Sequence, residues 1–296
     1  MEILILSGGG AKGSFQAGVL YQLFDNFKFK EMKGTSVGGI NAVILAQCYL
    51  DGKPDLLKKM WNEIIQDSKD VYKTNYFRSL FLRQPYSFAP LEEIIDKYID
   101  IKSIQKMPLE ISLTTTDLIT GNSVYINSKT STAEEFKRGI IASSTMPPAF
   151  PPVEIKDYYL VDGGLRENVP MRNILSKNRK EGILVIVTSP VTIKAVGRKK
   201  DLNLISVGTR AIEIMMNEIT TNDINGVIST KETQIKDKKK EIANIDIIAP
   251  YSNLFDSALD FDKDTMRKSF NDGISRAKTY MKDVWGQKDK FYIKDI

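Results

Sequence analysis

Gly34-Thr35-Ser36-Val37-Gly38 is the stretch on which the reading of this chain turns. A serine between two glycines suits a sharp strand-to-helix turn, because a Cβ at either flanking position would crowd the turn from which the hydroxyl stands clear. The residues that follow, Ile40 to Ala46, are mostly apolar and read as the start of a buried helix. Those before it, Phe27 to Lys33, are apolar only at Phe27, Phe29 and Met32, so the expected strand is weakly marked. The pentapeptide alone has two readings, a structural glycine turn and an elbow that presents a nucleophile.

Working outward, Ile3-Leu4-Ile5-Leu6 is a continuous apolar run of the kind found in strands buried on both faces of a parallel sheet. Gly8-Gly9-Gly10-Ala11-Lys12-Gly13 follows, and Ser14 to Phe27 then repeats apolar residues at helical spacing through Phe15, Val19, Leu20, Leu23 and Phe24. Strand, glycine loop, helix and second glycine turn together open an α/β fold with a doubly wound sheet and right-handed crossovers.

Further along, Pro54 opens a helix expected to run to about Gln66. Tyr76 to Phe88 mixes aromatics, leucines and arginines without a period; it reads either as a packed connection or as a segment over an apolar cleft or lipid. Leu109 to Asp117 and Ser123 to Ile126 form a hairpin, and Thr132 to Ile141 a helix with acidic residues in its first turn. Met146-Pro147-Pro148-Ala149-Phe150-Pro151-Pro152 is a stiff apolar loop, and Tyr158 to Val161 a strand ending at Asp162-Gly163-Gly164. Pro170 opens another helix, Ile183 to Thr188 is a buried strand, and helices are expected near Leu202 to Ile219 and Asp262 to Val284. The charged stretch Ser229 to Glu241 separates the first of these from a strand at Ile242 to Ile248. No internal repeat or Gly/Ser-rich linker divides the chain, so residues 1–296 are expected to form a single domain.

Composition narrows the chemistry. The sequence holds no histidine, which excludes Ser-His-Asp triads, Cys-His dyads and His-ligated metal sites. The single cysteine, Cys48, excludes an intrachain disulfide and fits a reducing compartment, so a cytoplasmic location is expected. The opening residues show no basic, cleavable leader, and no run approaches the roughly 18 apolar residues of a membrane span. The net charge of +5 concentrates late, in Arg198-Lys199-Lys200 and Lys236-Asp237-Lys238-Lys239-Lys240. These runs read as solvated loops; an anionic surface is the other reading, and without interleaved aromatics nucleic acid is not expected as a partner.

If Ser36 is a nucleophile, it needs a base other than imidazole and donors for an oxyanion. Gly8 to Gly13 could converge its amides on one point at a helix N-terminus. The same loop also matches the Gly-x-Gly-x-x-Gly dinucleotide fingerprint of an oxidoreductase, for which Glu31 would be the acidic residue about twenty positions on. That second reading leaves the turn at Ser36 unexplained. For the base, Asp162 ends an apolar strand before two glycines, but an aspartate in a tight Asp-Gly turn is common, and spacing leaves both readings open.

Three signatures in order carry a resemblance: Gly8 to Gly13, Gly34 to Gly39, and Asp162-Gly163-Gly164. With the connecting stretches Thr116 to Gly121, Ala142 to Pro152 and Asn168-Val169-Pro170, residues 1–190 resemble the patatin-like phospholipase family. Residues 191–296 carry no recognised motif and read as a helical C-terminal part of the same domain. The resemblance implies a three-layer α/β sandwich with a central, mostly parallel sheet. It implies a lipid acyl hydrolase of phospholipase A or lysophospholipase type, working through a Ser36–Asp162 dyad and an acyl-serine, with no metal and no cofactor. It assigns the oxyanion hole to Gly8, Gly9, Gly10, Lys12 and Gly13, the elbow to Gly34 and Gly38, and the base motif to Gly163 and Gly164. Asp-Gly-Gly stands where the family more often has Asp-Gly-Ala. The partner implied is a lipid or phospholipid, reached by peripheral membrane contact, for which Tyr76, Phe77, Phe81, Tyr86 and Phe88 with Arg78 and Arg83 are the candidates.

Overall fold

A computed structural model describes residues 1–74, 86–172, 181–190, 204–236, 244–255 and 257–283. Residues 75–85 of the aromatic stretch, the Arg198-Lys199-Lys200 run, Asp237 to Lys240, and most of the helix expected after Pro170 lie outside them.

The described strands are β1 (Ile3–Leu6), β2 (Glu31–Thr35), β3 (Lys73–Thr74), β4 (Tyr86–Ser87), β5 (Glu110–Asp117), β6 (Ser123–Asn127), β7 (Val153–Ile155), β8 (Tyr158–Asp162), β9 (Ile183–Ile186) and β10 (Ile245–Ile248). Among them, β10-β9-β1-β2-β5-β8-β7 are neighbours in one mixed sheet, with β6 on the other edge of β5, and β3 pairs β4 apart from it. The run from β10 to β5 is parallel; β6, β7 and β8 are antiparallel. The helices are α1 (Gly13–Leu23), α2 (Val37–Asp51), α3 (Asp55–Lys59), α4 (Ala89–Tyr98), α5 (Ile101–Lys106), α6 (Ala133–Ala142), α7 (Leu204–Lys236) and α8 (Lys263–Asp283).

Alternation along the central strands puts the core on both faces of the sheet. Leu4, Leu6, Leu184 and Ile186 join the larger core with residues of α1, α2 and α8. Ile3, Ile5, Ile183, Val185, Ile245 and Ile247 face the other way, onto Val169, Met171 and Ile224 of α7. Helices therefore cover both faces, and the architecture is the mostly parallel three-layer α/β sandwich. On the larger side α1 and α8 meet at glycines. A Cβ on Gly18 would lie 1.9 Å from the Phe270 carbonyl oxygen, and one on Gly273 would lie 2.2 Å from that of Phe15.

The weakly marked strand is real and sits at the centre of the sheet, paired in parallel with β1 and β5. Its pattern is poor for local reasons. Lys33 is buried and pairs with Glu31 at 3.5 Å, and Gly34 is dictated by the turn that follows. The helix expected to reach Gln66 is α3 followed by a π-helical turn over Met60–Ile64. The charged stretch from Ser229 is not all a break between elements, because α7 continues as helix to Lys236.

Candidate active site

The turn between β2 and α2 holds Ser36 at φ 54° and ψ −127°. Such a backbone costs a non-glycine residue on the order of 1–3 kcal/mol and persists only where its surroundings enforce it. Here they do. A Cβ on Gly34 would lie 2.4 Å from the Gly38 carbonyl carbon and Gly39 nitrogen, and one on Gly38 would lie 2.4 Å from the Leu6 carbonyl oxygen. The Ser36 amide donates to Ser143 Oγ at 2.8 Å, and the Ser143 hydroxyl donates to the Thr114 carbonyl at 2.7 Å. Ser143, at the end of α6, thus fastens the turn to β5 from outside it.

Sheet topology brings Asp162 to this turn. β6 overlaps both β2 and β8 along β5, so β2 and β8 must share the opposite edge of that strand, end to end. Thr35 pairs with Thr114, and Asp162 pairs with the next residue, Thr115. The residue after Thr35 and the last residue of β8 therefore converge. Asp162 is 2% exposed, and its Oδ1 accepts the Gly164 amide at 2.7 Å. Burial pushes its carboxyl up to about 7, while the Gly164 amide and the adjacent Ser36 hydroxyl pull it partly back. A carboxylate so placed titrates near neutrality, where an ordinary aspartate is too weak a base.

Above the pair lies the glycine loop after β1. Gly9 (φ 154°) and Gly10 (φ 56°) take backbone conformations that L side chains avoid. The Gly8 amide donates to the Asn168 carbonyl, Ala11 to the Ala258 carbonyl and Lys12 to the Gly9 carbonyl. Among the described residues the amides of Gly9 and Gly10 make no such bond. Both glycines line the same cavity as Ser36 and Asp162. Gly8 and Gly13 stand behind it: a Cβ on Gly8 would meet Asn168 Oδ1 at 2.4 Å, and one on Gly13 would meet Val37 at 2.3 Å. The Lys12 ammonium turns to Ser189 Oγ at 3.3 Å. Burial lowers its pKa, Glu213 opposes that shift and Arg210 adds to it.

Buried polar side chains brace the loop from below. Gln16 Nε2 donates to the carbonyls of Ser7 and Ile186, each at 2.9 Å. Asn41 Nδ2 donates to the Gly13 carbonyl, and Trp61 Nε1 donates to Asn41 Oδ1. The sequence reading assigned none of these. A glutamine on an apolar helix face, three residues after the last glycine, was the available signal. Glu31, the acid sought by the dinucleotide fingerprint, opens β2 rather than closing it. It therefore stands about 13 Å of strand away from the end where the loop lies.

The cavity is about 730 Å³, within the range of small-molecule sites. Its deep walls are the buried Trp61, Ile65, Val71 and Leu91. Its rim is the half-buried Met146, Ala149, Ile212, Glu213, Met216 and Leu259. Tyr86 and Phe88 belong to the interior wall, which corrects their expected place at a lipid headgroup layer. Phe88 is 8% exposed and stacks on Phe150 with ring centres 4.0 Å apart. Tyr86 packs on Phe150 and Tyr72. Aromatic edges that pair with one another gain more inside than at a wet surface. Among the described residues no cluster of Cys, Asp and Glu is arranged to hold a metal, and no helix is long and apolar enough to cross a membrane.

The sequence profile described as patatin-like phospholipase matches residues 4–175. The chain is 26% identical over 198 residues to a cGAMP-activated phospholipase of Escherichia coli (strain TW11681), a match covering 57% of this chain and 53% of that one. It is 25% identical over 187 residues to patatin-like phospholipase domain-containing protein 7 of Rattus norvegicus, covering 63% of this chain and 13% of that one. The uncharacterized protein YqhO of Bacillus subtilis (strain 168) is 27% identical over 209 residues, covering 63% and 70%. The chain thus spans about half, or much less, of the length of the first two relatives.

Proposed function

The chain belongs to the patatin-like phospholipase family, and from that premise we propose that it hydrolyses fatty-acyl esters of lipids by a Ser36–Asp162 dyad. One observation carries the proposal. Ser36, at a strained elbow, stands beside a buried carboxylate at the foot of an apolar cavity.

In this reading the acyl chain lies along Trp61 and Leu91 and brings its ester carbonyl to Ser36. Asp162, ionised near neutral pH, takes the hydroxyl proton as Oγ attacks. The amides of Gly9 and Gly10 receive the negative charge that develops on the carbonyl oxygen. The alcohol or lysolipid leaves with the proton returned from Asp162. Water, deprotonated by Asp162, then attacks the acyl-serine, and fatty acid is released as Ser36 regains its proton. The Ser36 hydroxyl already favours the ionised form of Asp162, and such contacts tighten as substrate binds. The substrate is of phospholipase A or lysophospholipase type, and the described residues before and after 190 act as one domain, because both line the cavity. We place the protein in the cytoplasm, meeting lipid at a membrane surface.

A fluorophosphonate probe and a nitrophenyl acyl ester test the proposal together. Wild type is expected to label at Ser36 and to turn the ester over, and Ser36→Ala to do neither. Labelling elsewhere, or turnover that survives in Ser36→Ala, would overturn it.

A further inference from the structure

Helix α7 presents two unlike faces near its N-terminal end. Gly208, Ile212, Glu213 and Met216 line the cavity. At 3.6 residues per turn, Val207, Ala211, Ile214 and Glu218 fall on the opposite side and Met215 on the flank beside Gly208, and all five are exposed. Val207 is 47% exposed, Ile214 46% and Met215 53%. A helix on the surface of a water-soluble protein ordinarily turns polar residues outward. This one turns outward an apolar stripe, of the kind that marks an interaction surface.

Its position indicates the occupant. The deep walls of the cavity are buried, whereas its lining residues on α7 and at Met146 and Ala149 are half-exposed. Ser257, Ala258 and Leu259 of the lining are half-exposed as well, so the rim runs through α7, the proline-rich loop and this segment, and Pro148 stands exposed on the loop. Any acyl chain entering it passes the rim whose outer face is the apolar stripe. A helix with such a stripe lies in the plane of a bilayer interface, with its apolar side chains among the upper acyl carbons.

We infer that Val207, Ala211, Ile214 and Met215 insert into the surface of a phospholipid bilayer and seat the cavity mouth on it. The inference rests on the proposed lipid hydrolysis for its purpose, but binding can be measured without turnover. It also differs from attraction by net positive charge, since apolar insertion persists at high salt.

The test uses the full chain carrying Ser36→Ala, sedimented with vesicles of phosphatidylcholine and phosphatidylglycerol at low and high salt. The triple change Val207→Ser, Ile214→Gln, Met215→Gln is expected to weaken vesicle binding roughly tenfold or more at both salt concentrations. In the chain that retains Ser36, the same triple change is expected to leave turnover of a soluble short-chain ester within about twofold, which also shows that the variant folds. Met215→Gln alone should give a smaller loss in the same direction. Unchanged vesicle affinity would overturn the inference. So would a triple change that shifts a dimer to monomer by light scattering while vesicle binding holds, because the stripe would then join two copies of the chain. Failure of wild type to turn over any ester would sink the hydrolase reading alone, since the vesicle measurement does not depend on it.

Discussion

The described residues of 1–172 and those of 204–283 build the site in different ways. The first region supplies the atoms proposed to react, each held by short-range backbone geometry: the elbow at Ser36, the amides of Gly9 and Gly10, and the Asp162 turn. The second supplies none of these but completes their surroundings. The Ala258 carbonyl accepts the Ala11 amide, the Ala258 amide donates to Glu213, and Thr220 of α7 accepts from Asn168, whose own carbonyl holds Gly8. Reacting groups are thus encoded locally in glycine-rich turns. The cavity that decides what reaches them is assembled from distant parts of the chain.

The sharpest test of this division is at the dyad. Ser36→Ala and Asp162→Asn should each lower kcat by roughly 10³-fold or more, and the double variant should be no worse than the worse single one, because such residues act as a unit. If Asp162→Asn kept a tenth of the activity, the base would lie elsewhere. Next comes the point where the two regions touch. A Cβ on Gly10 would lie 2.0 Å from the Ala258 carbonyl oxygen, at a φ of 56° that already disfavours it. Gly10→Ala should lower kcat by ~10²–10³, the usual loss for one oxyanion donor. Ala258→Gly should not rescue it, since the clash is with main chain. A melting temperature that collapses along with the rate would show the loop to be structural only.

A smaller effect follows from the burial of Asp162, which places its carboxyl near pH 7. The ionised form is the base, so kcat/KM for a soluble ester should rise with pH through about 7 and level off above it. At one pH unit below that value it should be about tenfold lower than on the plateau. A midpoint near 4 would mean that water reaches the carboxylate. The smallest effect belongs to the second region alone. Ile212→Trp at the rim should lower kcat/KM for long-chain esters by roughly tenfold or less relative to short-chain ones, while fluorophosphonate labelling is retained. Equal losses on both chain lengths would mean that α7 bears on the chemistry and not only on access.

Much of the first region was legible as sequence. Continuous apolar runs indicated the parallel strands, and three glycine-rich signatures in order indicated the family. β2 was hardly legible, because Lys33 and Gly34 serve an ion pair and a turn and so break its pattern. By sequence Tyr86 and Phe88 are candidates for lipid contact, yet they pack against Phe150. An aromatic run has the same composition whether its rings face a bilayer or one another. Ser143 and Asn168 fall in stretches that carry the resemblance, but nothing local shows what they do, and Ala258 carries no signal at all, since each acts through a partner far away in sequence.

The sequence by itself determined the layered α/β class, the family, and the absence of imidazole chemistry. These rest on periodicity, on glycines that only certain turns demand, and on residue types, all of which are local. The resemblance implied that Asp162 serves Ser36, but what brings the two together, β2 and β8 sharing one edge of β5, belongs to the tertiary structure. It also decided that burial lifts the carboxyl of Asp162 and that α7 gives one face to the cavity and another to the surroundings. Proximity, desolvation and exposure belong to contacts between distant segments, and no single stretch of chain carries them.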